Sequence, residues 1–186
     1  VPVILGGEHS LTPAAVRALG HIHPNRPIGL VQIDAHADLR DEYEGNRHSH
    51  ACAARRVHAD LGIPIVQIGV RAVSPEELLY RERYSSDALA PSITTFDAAS
   101  IVPAATTHID LPDRFPNDVY LTIDVDGLDP AVVPATGTPV PGGLSWYQTL
   151  AILESITRQV RVRAFDVVEL APIPHQNGWN YTVAEL

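Results

Sequence analysis

Apolar residues recur along the chain in short unbroken runs: Ile28-Gly29-Leu30-Val31-Gln32-Ile33, Ile63-Pro64-Ile65-Val66-Gln67-Ile68-Gly69-Val70 and Val119-Tyr120-Leu121-Thr122-Ile123-Asp124-Val125. Runs of this length suit strands buried on both faces, as in a parallel sheet covered by helices. Strands are therefore expected at 2–6, 28–33, 63–70, 118–125 and 161–168, with a weaker one at 92–96. Helical signals lie between them. Ser74-Pro75-Glu76-Glu77 has the form of a capping box with proline at the first helical position, and opens a helix to about Tyr84. Ser145-Trp146-Tyr147-Gln148 has the same form and opens a helix to about Gln159. Shorter helices are expected over 12–20 and 50–59. The Pro-rich section 101–117 reads as a surface connection, and 130–143 as a Gly/Pro loop. The alternation of strand and helix predicts one doubly wound α/β domain over 1–186.

In such sheets, functional groups gather past the carboxyl ends of the strands. The polar residues follow that rule. Gly6-Gly7-Glu8-His9-Ser10 follows the first run, Asp34-Ala35-His36-Ala37-Asp38 the second, Asp124-Val125-Asp126-Gly127-Leu128-Asp129-Pro130 a later one, and Glu169 the last. Asp34, His36 and Asp38 alternate, as do Asp124 and Asp126, and alternate residues of extended backbone share a face. Together, His9, Asp34, His36, Asp38, Asp124 and Asp126 would carry a charge of about −4, which no buried site tolerates unpaired. Two divalent cations match it. Oxygen-rich donors with two imidazoles and no thiolate suit Mn²⁺ better than structural zinc. Two such ions, roughly 3.5–4 Å apart, can share a water and lower its pKa.

Composition narrows the partners. The chain has 186 residues, enough for one real core. Its net charge of −9 argues against nucleic acid or an anionic membrane and suits a small cation. No apolar stretch is long enough to span a bilayer. The single cysteine, Cys52, rules out an internal disulfide and reads as a small buried or semi-buried thiol. A strand beginning at Val1 and a helix cut short over Thr182–Leu186 read as a piece of a longer chain, incomplete at both ends.

GGEHS, DAHADLR, SHAC, DVDGLDP and the late VVEL resemble, in order, the ureohydrolase family that includes arginase and agmatinase. The match runs from Gly6 to about Pro174, and the combination is far more specific than any one motif. The resemblance implies a three-layer α/β/α hydrolase with two Mn²⁺ per subunit. It implies that His9, Asp34, Asp38 and Asp124 hold one ion and Asp34, His36, Asp124 and Asp126 the other, Asp34 and Asp124 bridging. It makes His50 the catalytic proton shuttle and Glu169 the carboxylate that grips the substrate guanidinium, and it places the 134–139 loop with Gly142-Gly143 beside the substrate entrance.

The implied reaction is attack of a metal-bridging hydroxide on the guanidinium carbon, with departure of an amine that takes a proton from His50. Glu8, where many members have Asp, is expected to act no more directly than through a neighbour. The variant after His50, Ala51-Cys52, resembles the agmatinase-like branch, which implies agmatine cleaved to putrescine and urea. Arginine, guanidinobutyrate, aminopropylagmatine and formiminoglutamate stay open as substrates. A zinc amide deacetylase of related fold and a non-catalytic relative are the readings from other classes. The family further implies a cytoplasmic homo-oligomer, a trimer or hexamer. His21, His23, His48, His58, His108 and His175 are expected at the surface, His175 on the same rim as Glu169. Arg55-Arg56 is expected on a solvated helix face or an oligomer contact. Asp129 is expected to stabilise a turn, and Trp146, Trp179 and Tyr181 to pack.

Overall fold

The computed structural model describes residues 1–85 and 91–176. In chain order the elements are β1 (Val3–Leu5), α1 (Thr12–Ile22), β2 (Ile28–Ile33), α2 (Ala53–Leu61), β3 (Ile65–Ile68), α3 (Pro75–Arg83), β4 (Ile93–Phe96), α4 (Ala98–Ile101), β5 (Asp118–Asp124), α5 (Trp146–Gln159) and β6 (Arg161–Val168). Short 3₁₀ turns cover His9–Leu11, His50–Cys52 and Val125–Gly127. The strands form one sheet in the order β1-β6-β5-β2-β3-β4, with every pairing parallel. The chain leaves β2 toward β3 on one side and leaves β5 toward β6 on the other. Their connections diverge, so a crevice opens at the carboxyl ends of β2 and β5, where open parallel sheets bind ligands.

β2 and β5 are buried along their whole length, as unbroken apolar runs require. On one face Ile28, Leu30 and Tyr120 pack with Val16 and Leu19 of α1 and Ala54 and Val57 of α2. On the other, Val31, Ile33, Leu121 and Ile123 pack with Ile101, Ile109 and the α5 residues Ile152 and Ile156. The result is the expected three-layer α/β/α arrangement. Ile152 and Ile156 are fully buried, and truncating either to alanine would cost about 2–5 kcal/mol.

Three local readings need correction. The 101–117 section is more than a surface connection. It begins in α4, buries Ile109, and lays Phe115 so closely on β2 that a Cβ at Gly29 would stand 2.5 Å from its ring. Of the two expected capping boxes, only Ser74–Glu77 closes in both directions. Ser145 does accept from the Gln148 amide, but the Gln148 side chain turns away and donates to the carbonyls of Ile101 (3.1 Å) and Thr106 (2.9 Å). It serves as a tether between α5 and α4. The expected helix over 50–59 starts instead with a 3₁₀ turn and runs from Ala53 to Leu61. Trp179, Tyr181 and 182–186 lie outside the described residues.

Candidate metal centre

The alternation of Asp34, His36 and Asp38 is not that of a strand. β2 ends at Ile33, and the Asp34 amide keeps one last ladder bond to Ile68 O at 3.1 Å. The backbone then bends. His36 makes a single parallel bridge to Ala72, and Asp38 takes a left-handed conformation (φ 52°). This turn delivers all three side chains to the crevice. Glu169, just past β6, is also left-handed (φ 65°). Such backbone costs on the order of 1 kcal/mol at each non-glycine residue.

The six residues expected together are together. His9 Nδ1 lies 3.2 Å from Asp34 Oδ2, 3.1 Å from Asp38 Oδ2 and 3.3 Å from Asp124 Oδ2. His36 Nδ1 lies 3.0 Å from Asp126 Oδ2 and 3.6 Å from Asp34 Oδ1. Two ligand groups thus adjoin, one around His9, Asp34 and Asp38 and one around Asp34, His36 and Asp126. Asp34 reaches both through its two oxygens. Asp124 differs: its Oδ2 faces His9 while its Oδ1 accepts from the Asp126 amide at 2.9 Å, so in this arrangement it belongs with the His9 group.

The electrostatics are those of a cation site. Burial, reinforced by the Asp34 charge, pushes Asp38 up to about 7 and raises Asp124 as well. Burial opposes charging of both imidazoles, yet the adjacent carboxylates of Asp124, Asp34 and Asp38 carry His9 well above its usual value, and those of Asp126 and Asp34 carry His36 to about 11. Burial would also raise Asp34, but His36 and His9 hold it below the usual carboxylate range. The buried His9 Nδ1 makes no well-formed hydrogen bond although three carboxylate oxygens surround it. An imidazole nitrogen aimed at a point among carboxylates is a metal donor set, and the residues present fit a pair of divalent ions.

A buried polar frame, invisible in the apolar runs, holds these ligands. Gln32 Nε2 donates to Asp34 Oδ2 (2.6 Å), and Gln67 Nε2 donates to Gln32 Oε1 (2.7 Å) and Ala37 O (2.6 Å). Asp126 accepts from the Ala35 amide and the Thr138 hydroxyl, each at 3.1 Å. Arg71 donates to the carbonyls of Asp126 (2.6 Å), Gly127, Leu128, Gly69 and Val140, fixing the loop after β5. Asp129 accepts from the amides of Ala131, Gly142 and Gly143, the turn role expected of it.

A cavity of about 340 Å³ opens over the cluster, its wall including Tyr43, His50, Glu77 and Glu169 beside His9, His36, Asp38 and Asp124. Glu169 Oε1 accepts from the His9 amide at 2.6 Å. Half-exposed His50 faces Glu8, Nδ1 to Oε2 at 3.2 Å, and meets Tyr43 edge-on at 5.8 Å between ring centres. Glu8 thus touches the expected proton shuttle, a contact that its place beside His9 did not reveal. Two expectations of exposure fail. His58 is buried, bonded to Tyr80 Oη (2.6 Å) and Pro91 O (3.1 Å). Arg56 is buried under salt bridges to Asp41 and Asp60. His48 and His175 are exposed, and Cys52 is buried.

A doubly wound sheet with an acidic, imidazole-bearing cavity at its switch point defines an α/β/α protein with a candidate metal-binding centre. The arginase family model matches residues 1–184, and the chain belongs to that family. It is 37% identical over 186 residues to an agmatinase of Pyrococcus horikoshii, covering all of this chain and 60% of that protein. It is 39% identical over 189 residues to an N(1)-aminopropylagmatine ureohydrolase of Synechocystis sp., covering 99% of this chain and 58% of that one. Among solved structures, the agmatine ureohydrolase of Thermoplasma volcanium superposes with a TM-score of 0.76 at 34% identity, over 100% of this chain and 59% of the other. An arginase from Medicago truncatula superposes with a TM-score of 0.82 at 27% identity, over 99% and 56%. The chain therefore spans about 60% of the length of the relatives it matches.

Proposed function

We propose that residues 1–186 form one ureohydrolase domain that releases urea from a guanidino-amine, agmatine first among them. One observation carries the reading: four carboxylates and two imidazoles converge under a cavity whose wall also presents Glu169 and His50. His9, Asp34, Asp38 and Asp124 would hold one Mn²⁺, and Asp34, His36 and Asp126, with Asp124 adjacent, the other. When bound, the pair supplies Lewis acidity and an activated water at neutral pH.

The chain's own groups do the rest. A guanidinium is planar and cationic, and the Glu169 carboxylate can accept paired N–H bonds from it and fix its plane over the cluster. The His9 amide steadies that carboxylate. His50, on the cavity wall and held by Glu8, can deliver a proton to the departing amine. The wall residue Tyr43 suits a cationic tail by its ring face. A longer tail is the second reading, supported by the relatives that are N(1)-aminopropylagmatine ureohydrolases. The proposal includes a role in polyamine formation, a cytoplasmic location and a trimer or hexamer, all of which rest on the family resemblance. Among the described residues no helix is long and apolar enough to cross a membrane.

The test is urea release by the intact protein, reconstituted with Mn²⁺, from agmatine, aminopropylagmatine, arginine and guanidinobutyrate. Metal-dependent urea from agmatine supports the first reading, and from aminopropylagmatine the second. No urea from any of them, with metal bound, sinks both.

A further inference from the structure

Asp166 sits in β6, fully buried. What holds its carboxylate is three hydroxyls: Thr12 Oγ1 and Tyr120 Oη donate to Oδ2, each at 2.7 Å, and Thr122 Oγ1 donates to Oδ1 at 2.5 Å. Thr122 Oγ1 also lies 2.9 Å from His9 Nε2. A hydroxyl has one proton, and a carboxylate can only accept it. With that proton committed to Asp166, the Thr122 oxygen must accept from His9, so His9 carries its hydrogen on Nε2. Nδ1 is then the nitrogen that faces Asp34, Asp38 and Asp124, and it offers its lone pair to a cation that displaces its proton.

We infer that Asp166, acting through Thr122, is the positioning pair that sets the tautomer and ring orientation of His9 for cation binding. The inference rests on the metal-centre reading above. Metal-bound histidines commonly hand their second N–H to an acceptor that fixes the ring and strengthens the ligand. Here the acceptor is a hydroxyl backed by a buried charge. Thr12 and Tyr120 share the same carboxylate, which ties the relay to α1 and β5 and keeps it rigid. Among the described residues Thr122 Oγ1 is the hydrogen-bond partner of His9 Nε2, so the relay defines which nitrogen faces the cluster.

The test is Mn²⁺ titration of the intact protein, following the free-ion electron paramagnetic resonance signal, for wild type, Thr122→Val, Thr122→Ser and Asp166→Asn. In Thr122→Val and Asp166→Asn, affinity should fall about 10–100-fold at one of two sites, the other staying within a few-fold. Thr122→Ser, which restores the hydroxyl, should recover wild-type binding. A merely structural role would weaken both sites together and would not be rescued selectively. Should Asp166→Asn not fold, the Thr122 pair carries the test alone. A folded Thr122→Val that binds two ions with wild-type affinities overturns the inference while leaving the metal centre intact. A wild type that binds no Mn²⁺ overturns the metal-centre reading, and the inference with it.

Discussion

Glu8 Oε2 lies 3.2 Å from His50 Nδ1, joining the turn after β1 to the turn that opens α2. Glu8 is also gripped by the Ser10 hydroxyl. A carboxylate bound to one imidazole nitrogen fixes which nitrogen can serve the substrate. Glu8→Ala should therefore lower kcat by about tenfold with little change in KM, because orientation of a proton donor counts in the transition state more than in the ground state. Glu8→Asp should retain part of the effect. Steady-state kinetics with the preferred guanidine check this, and an unchanged kcat in Glu8→Ala contradicts it.

Metal binding should be linked to proton release. Burial and the Asp34 charge push Asp38 up to about 7, and the adjacent carboxylates raise His36 to about 11, with His9 and Asp124 also raised. Groups with raised pKa values still hold protons at neutral pH, and a cation must displace them. Apparent Mn²⁺ affinity should then rise as pH increases from 6 to 8. Calorimetric titration in buffers of differing ionisation enthalpy measures the protons released. An affinity independent of pH over that range would contradict the buried arrangement of carboxylates.

Much of this was legible before the fold was known. β2, β3 and β5 follow from unbroken apolar runs, because strands buried on both faces leave that signature, whereas β1, β4 and β6 are partly exposed and carry it more weakly. The six cluster residues follow from polar groups placed just after those runs. The frame around them was not legible. Gln32, Gln67, Thr122 and Asp166 lie inside strands, where a buried polar side chain is indistinguishable from an exposed one until its partner is known. His58 and Arg56 read as surface residues because Tyr80, Pro91 and Asp41 come to them from distant positions. The short α4 leaves no signal in the sequence, because four residues beside a Pro-rich section carry no helical period.

His58 makes a pH prediction of its own. Burial lowers its pKa below the usual value, and the Arg55 charge lowers it further against a bond to the Pro91 carbonyl. Below about pH 6.5 the unfolded chain takes up a proton that the folded chain resists. The stabilisation from neutral His58 is present above that pH and is lost as pH falls below it. His58→Gln should remove this loss. Denaturant midpoints of the two metal-free proteins should converge between pH 7.5 and 5.5, at no more than about 1.4 kcal/mol per pH unit. Parallel curves would contradict a neutral, buried His58.

Arg71 joins five backbone carbonyls, three of them in the loop that carries Asp126. Lysine cannot match a planar fork of donors. Arg71→Lys should cost about 2–4 kcal/mol of stability through unpaired buried carbonyls. It should also weaken binding at the His36 and Asp126 group more than at the His9 group. Denaturant unfolding and Mn²⁺ titration check the two effects separately.

The most direct measurement is an anomalous-scattering map of the intact protein crystallised with Mn²⁺. Two manganese peaks are expected, one among His9, Asp34, Asp38 and Asp124 and one among Asp34, His36 and Asp126. A single peak, or peaks away from these side chains, would contradict that expectation.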